Sequence, residues 1–226
     1  EALIRWPDRE QPVAPDELIA LAEQSGLIKP LTRWVLQEAL HMRSRLLELG
    51  FDAGIAVNIS PNNLREPDFA VFVQRLMQSF HSHMGAITFE VTETSMMQDP
   101  VNSLKALNAL NAAGIPLSID DFGSGYSSLS YIKQLPASEI KIDRSLITEL
   151  SHREEDRVIV RTTIDMCHSL GYTVVAEGVE DEETLALLED MGCDLIQGYI
   201  LTRPLPFDGL VDWMSGQPRR SRISAS

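Results

Sequence analysis

The chain has 226 residues, 44% of them hydrophobic and 23% charged, which suits one globular domain with a sizeable core and not a disordered segment. A formal net charge of −14 opposes a nucleic-acid polymer or an anionic membrane surface as partner, yet allows a small phosphate ligand if metal ions reverse the sign locally. Two cysteines, Cys167 and Cys193, show no metal-ligand spacing, so zinc is not expected and a reducing cytosol is comfortable; no run of about 18 apolar residues predicts a membrane span.

In chain order, Glu1–Trp6 reads as a short buried strand stopped by Pro7-Asp8. Pro15-Asp16 opens a helix to Gln24, with Gly26 as its stop. A longer helix follows Pro30, where Trp34, Leu36, Ala39, Leu40, Leu46 and Leu47 recur at helical spacing until Gly50. Ile55–Ile59 is a strand, 68–80 a helix, Ile87–Val91 a strand, and Asp99-Pro100 opens a helix that ends at Gly114. Leu117–Asp120 is a strand, Ser128–Leu135 a short helix, and Glu139–Asp143 a strand. A helix covers most of 156–170; Thr173–Glu177 is a strand, 181–191 a helix, Asp194–Gln197 the last strand and 207–214 a final helix. One domain over 1–215 and a basic, serine-bearing tail over 216–226, expected to fray, account for the whole chain. Glu1 already stands inside an element, so the chain reads as cut from something longer, and no secretory leader is visible.

Strand–helix alternation implies an α/β fold with a parallel sheet. Seven strands fall one short of a (β/α) barrel, which needs eight; an open doubly wound sheet is the other possibility. The polar residues favour the barrel. Asn58, Glu90, Asp120 with Asp121, Lys141 with Asp143, Glu177 and Gln197 all stand at or near C-terminal strand ends, and Glu1 adds one more. Barrel strands bring those ends to one face, whereas an open sheet spreads them along a crevice.

The donors are almost all oxygens, which suits magnesium or manganese. Glu1, Glu90, Asp120, Asp121 and Glu177 carry about −5 if all ionise, and Lys141 returns about +1, so burial without counterions is prohibitive. Two divalent ions would nearly neutralise the set and could activate water for phosphodiester hydrolysis. Taken singly, each residue has a plainer explanation. Glu1 could be a chain end, Asn58 a turn former, Thr92-Glu93 a helix cap, Lys141 a strand-face charge, Glu177-Gly178 a turn, and Gln197-Gly198 a strand end. Their coincidence at strand ends is what a site explains and the plainer readings do not. His81 and His83 read as surface, and Met96-Met97 as packing.

Together these residues resemble the EAL domain family, the bacterial cyclic di-GMP phosphodiesterases. The resemblance runs through Glu1-Ala2-Leu3, Asn58 of Val-Asn-Ile-Ser, Glu90-Val-Thr-Glu93, Asp120-Asp121-Phe-Gly-Ser-Gly125, Lys141-Ile-Asp143, Glu177-Gly-Val-Glu180 and Gln197-Gly-Tyr199, up to about Leu210. It implies a modified TIM-type barrel that hydrolyses cyclic di-GMP to linear pGpG in bacterial signalling. By the same resemblance, Glu1, Asn58, Glu90, Asp120, Asp121 and Glu177 hold the metals, Mg2+ or Mn2+ in two sites, with Ca2+ expected to inhibit. Lys141 and Gln197 position or polarise the attacking water, and Glu93 anchors the loop over 121–128, which also serves a dimer contact. Arg5, Asp143, Glu180 and Tyr199 line the nucleotide site. A homodimer, upstream sensor or GGDEF-type domains, and a cytoplasmic location, including as the cytoplasmic part of a membrane-anchored protein, are implied too. Two departures stand out. Ser124 replaces a common Thr and keeps the hydroxyl, and the strand that precedes the Glu-Ala-Leu tripeptide in the family is absent from the sequence, which fits the count of seven. A missing stave would expose strand edges and weaken the domain. The rival readings are a receptor that binds cyclic di-GMP without cutting it, and an unrelated barrel enzyme using magnesium on another phosphate or enolate.

Overall fold

The computed structural model describes residues 1–6, 13–125 and 129–217, with the side chains of 129 and 130 left aside. Helices α1 (Pro15–Gln24) and α2 (Ile28–Glu48) come first, followed by β1 (Ile55–Asn58), α3 (Pro61–Leu64) and α4 (Phe69–Ser79). Strand β2 (Ile87–Thr92) then runs directly into α5 (Glu93–Met97) and α6 (Pro100–Ala112). Next come β3 (Leu117–Phe122), α7 (Leu129–Ile132), β4 (Glu139–Ile142), α8 (Arg144–Ile147) and α9 (Glu154–Ser169). The described chain closes with β5 (Thr173–Glu177), α10 (Glu182–Asp190), β6 (Leu195–Gln197) and α11 (Phe207–Gly216).

Local chemistry sets these boundaries. Helix α2 starts at Ile28, two residues before the expected Pro30, because proline fits a first turn whose amides have no intrahelical partner. Its Leu36, Ala39, Leu40 and Leu46 lie on the buried face. Ser60, Thr92, Asp99, Asp143 and Asp181 each cap a helix by accepting a backbone N–H two or three residues on. Several of these caps begin one-turn helices that hydrophobic periodicity cannot resolve, because four or five residues do not complete a repeat.

All six strands are parallel and lie in the order β1-β2-β3-β4-β5-β6. Asn58 faces Glu90 across β1–β2, Ile140 faces Val174 across β4–β5, and Glu177 faces Gln197 across β5–β6. Register shifts between Ile119 and Phe122 against β4, which marks a bulge at the paired aspartates. Val57, Phe89, Val91, Ile119, Ile140, Ile142, Val174 and Ala176 are buried against the helices. The sheet curls as a barrel does, since Asn58 at the end of β1 and Gln197 at the end of β6 both reach the single carboxylate of Glu1, at 2.6 and 3.1 Å.

The expected strand at Glu1–Trp6 is a correction. The segment lies beside β1 through one ladder bond, Ala2 N–H to the Ala56 carbonyl at 2.9 Å, and Trp6 forms an isolated antiparallel bridge with Val13. Leu3 and Trp6 are about half exposed, so the segment lacks the two-faced burial that defines a barrel stave. Six strands, not seven, therefore form the sheet among the described residues. Ser128 of the predicted 128–135 helix lies outside them, and the remainder shortens to α7. The tail expected over 216–226 falls outside them from residue 218 on. No helix of the described residues is long and apolar enough to cross a membrane.

Candidate active site

Side chains alternate along a strand, so a carboxylate at the end of an inward-facing row points into the barrel mouth. The sequence places one such group on nearly every strand, and the structure brings them together around Lys141. Its Nζ lies 2.8 Å from Glu90 Oε1, 3.3 Å from Asp120 Oδ1 and 2.6 Å from Glu177 Oε1. The Lys141 and Glu90 side chains are each 2% exposed, so these are interior charges. Burial alone would depress the lysine, but the Glu90, Asp120 and Glu177 carboxylates outweigh it and hold the ammonium above the ordinary lysine range. Burial pushes Glu90 and Glu177 the other way, up to about 7 each, with Lys141 opposing and neighbouring acids reinforcing the rise.

Asp121 extends the cluster. It takes a left-handed φ of 55°, a conformation rarely held by a non-glycine residue. Its amide donates to Asp120 Oδ1 at 3.0 Å. Burial, then the charges of Asp120 and Asp143, raise its pKa. One carboxylate oxygen each from Asp120, Asp121 and Glu177 falls within 4.8 Å of the others. Glu1 joins from the rim, with Asn58 Nδ2 donating to one oxygen and Gln197 Nε2 to the other.

The donor set fits a hard divalent cation. The clustered oxygen donors are carboxylates, one ammonium faces several of them, and among the described residues the buried Glu90 Oε2 has no hydrogen-bond partner. Glu93, buried at the start of α5, accepts a hydrogen bond from the Gly123 amide at 2.9 Å. A Cβ on Gly125 would stand 3.2 Å from Glu93 Oε1, so the absence of a side chain at Gly125 lets the loop lie close against that carboxylate. Residues 126–128 of the same loop lie outside the described residues.

The four residues expected to line a nucleotide site are spread more widely. Asp143, Glu180 and Tyr199 stand one to three residues beyond β4, β5 and β6. Asp143 Oδ1 caps α8 at Ser145 N–H, and Glu180 is exposed. Tyr199 is half-exposed under the Arg203 guanidinium, 4.2 Å from the ring centroid. Arg5 is exposed and donates to the Ile4 carbonyl at 2.8 Å. His83 is exposed and contacts Arg43, while Met96 is buried, as expected of surface and packing residues. Sequence reasoning missed the glycine contacts at the exits of β5 and β6. Their only trace is the pair of dipeptides Glu177-Gly178 and Gln197-Gly198, which also describe ordinary strand ends.

The family model described as "EAL domain" matches residues 1–204. The chain is 40% identical over 213 residues to the bifunctional diguanylate cyclase/cyclic di-GMP phosphodiesterase MucR of Pseudomonas aeruginosa, covering 93% of this chain and 31% of MucR. It is 32% identical to the cyclic di-GMP phosphodiesterase RocR of the same organism, covering 96% of this chain and 55% of RocR. A solved structure described as the PaMucR phosphodiesterase in complex with c-di-GMP superposes with a TM-score of 0.86 at 40% identity, over 92% of this chain and 85% of that one. The chain thus spans about three-tenths of the length of the first curated relatives it matches. A family-model match over nearly its whole length means that the chain belongs to the EAL domain family.

Proposed function

We propose that this domain is a divalent-metal-dependent phosphodiesterase that hydrolyses one phosphodiester of cyclic di-GMP to give linear pGpG. The observation that carries the reading is the convergence of Glu90, Asp120 and Glu177 on Lys141, with Asp121 and Glu1 alongside. The names of MucR and RocR, and the c-di-GMP in the PaMucR structure, support cyclic di-GMP as the substrate.

Glu1, Asn58, Glu90, Asp120, Asp121 and Glu177 would hold the metal ions. Magnesium or manganese bound there supplies Lewis acidity toward water and toward the phosphoryl oxygens, and offsets the negative charge that would otherwise repel the diester. Lys141 fixes Glu90, Asp120 and Glu177 at one point and adds positive charge where negative charge develops on phosphorus. Gln197 and Asn58 hold both oxygens of Glu1 and so fix its plane. Glu93 keeps the Gly123 turn against α5, and with it the position of Asp121. Water oxygen bonds to phosphorus and gives up a proton, the ester bond from phosphorus to one ribose oxygen breaks, and that oxygen takes up a proton, so one water is consumed for each pGpG formed. Arg5, Asp143, Glu180 and Tyr199 are the residues of the surrounding strand exits that would meet the nucleotide.

The same reading carries a homodimer, further regulatory domains in the longer protein and a cytoplasmic site of action. Its test is incubation of the chain with cyclic di-GMP in Mg2+, Mn2+, Ca2+ or excess chelator, followed by chromatography. Linear pGpG in Mg2+ or Mn2+, with binding but slow turnover in Ca2+, is the expected result. Tight binding with no product in any metal would replace the enzyme by a receptor, and no binding at all would point to a different phosphate substrate.

A further inference from the structure

We infer that Gly198 is a positioning residue: it locks the exit of β6 against the exit of β5 and thereby sets Gln197 and Glu177 relative to each other. The inference rests on the phosphodiesterase reading of the site but draws on contacts which that reading does not use.

Both exits are backbone-bonded on either side of Gly198. Val179 N–H donates to the Gln197 carbonyl at 3.2 Å, and Ile200 N–H donates to the Val179 carbonyl at 3.1 Å. The backbone of Val179, its N–H on one side and its carbonyl on the other, therefore lies close against Gly198. A Cβ there would overlap the Val179 carbonyl oxygen and amide nitrogen and would stand 2.7 Å from its carbonyl carbon. These are backbone atoms of a fully buried residue, so no side-chain rotation relieves the overlap. Gly198 is not among the glycines with positive φ, so glycine is required there for space and not for backbone conformation.

The exits of β4 and β5 also approach closely. Gly178, at φ 71°, lies where a Cβ would stand 2.6 Å from Arg144 Cβ, just past the end of β4. The exits of β4, β5 and β6 thus form one stack. Each carries a residue of the cluster: Lys141 on β4, Glu177 on β5 and Gln197 on β6. Glu177 is 2.6 Å from Lys141, and Gln197 is 3.1 Å from Glu1. Prising β6 from β5 at Gly198 must therefore lengthen one of these contacts.

The experiment compares Gly198→Ala with Gly192→Ala. Gly192 precedes the same strand, has a φ of 78° and has nothing within 4 Å of an added Cβ, so its substitution reports left-handed backbone strain near β6 without a clash. Mn2+ affinity is measured by calorimetric titration, melting temperature by circular dichroism, and kcat and KM on cyclic di-GMP well below melting. For Gly198→Ala we expect Mn2+ affinity weakened by about tenfold or more, with kcat reduced more than KM is changed, as for loss of a group that orients metal ligands. Gly192→Ala lowers the melting temperature but leaves affinity and kcat near wild type. Equal affinity and kcat in the two variants at temperatures where both are folded would overturn the inference. So would a Gly198→Ala protein that melts lower yet binds Mn2+ like wild type. Should Gly198→Ala fail to fold, Gly178→Ala, which loosens the same stack from the other side, takes its place under the same criteria. The Mn2+ titration needs no substrate, so it decides the inference even if wild type fails to cut cyclic di-GMP, an outcome that would overturn only the phosphodiesterase reading.

Discussion

Lys141 is the residue on which the site turns. Its ammonium stands within 3.3 Å of Glu90, Asp120 and Glu177, and removing one partner from a buried ionic cluster costs about 3–5 kcal/mol because the remaining charges are left uncompensated. Lys141→Met should therefore destabilise the metal-free protein, and more at pH 8 than at pH 5, where protonation of the acids relieves the repulsion. Urea unfolding in chelator at the two pH values checks this, and an equal loss at both would contradict it. The sequence made Lys141 visible only as a positive charge at a strand end. What it could not reveal is the three-way contact, which depends on curvature bringing β2, β3 and β5 around β4. The same limit applies to Asp121, whose left-handed backbone coincides with the register shift between Ile119 and Phe122; aspartate tolerates that conformation but does not by itself announce it.

At the scale of elements, the long helices and the strands were legible because hydrophobic periodicity, proline starts and glycine stops all agreed. The one-turn helices α3, α5 and α8 were not, since they are too short to show a period and are fixed by caps. The segment Glu1–Trp6 read as a strand because Ala2, Leu3, Ile4 and Trp6 are apolar, but one ladder bond does not make it one. Of these elements α5 bears most directly on the site. Thr92 caps it, and Glu93 in its first turn holds the Gly123 amide at 2.9 Å. Glu93→Ala should leave the barrel folded and lower metal affinity by about 10- to 100-fold, the usual range for losing a group that orients metal ligands. Glu93→Gln, whose amide oxygen can still accept from Gly123, should recover part of that affinity. Manganese titration of the two variants checks the order, and identical behaviour of both would count against the anchoring role.

At the scale of the whole molecule, stability and metal occupancy are linked through the same carboxylates. Glu90 and Glu177 rise from 4.5 to about 7 in the folded, metal-free protein, so between those values the folded state holds more protons than the unfolded one. Stability contributed by these two groups is therefore present below the unfolded value and is lost as pH climbs through the folded one. Metal ions bind the deprotonated form and reverse that loss. The gap in melting temperature between Mn2+-loaded and chelated protein should widen from pH 5 to pH 8. A gap independent of pH across that window would mean that these acids are not the ligands. The measurement that bears most directly on the central claim is the release of pGpG from cyclic di-GMP by wild type and by Asp120→Asn, in Mn2+ and in chelator. The account predicts product from wild type in Mn2+ alone, and a rate lower by about two orders of magnitude in Asp120→Asn, whose neutral amide brings no negative charge to the metal ions. Product formed in chelator, or an undiminished rate in Asp120→Asn, would contradict it.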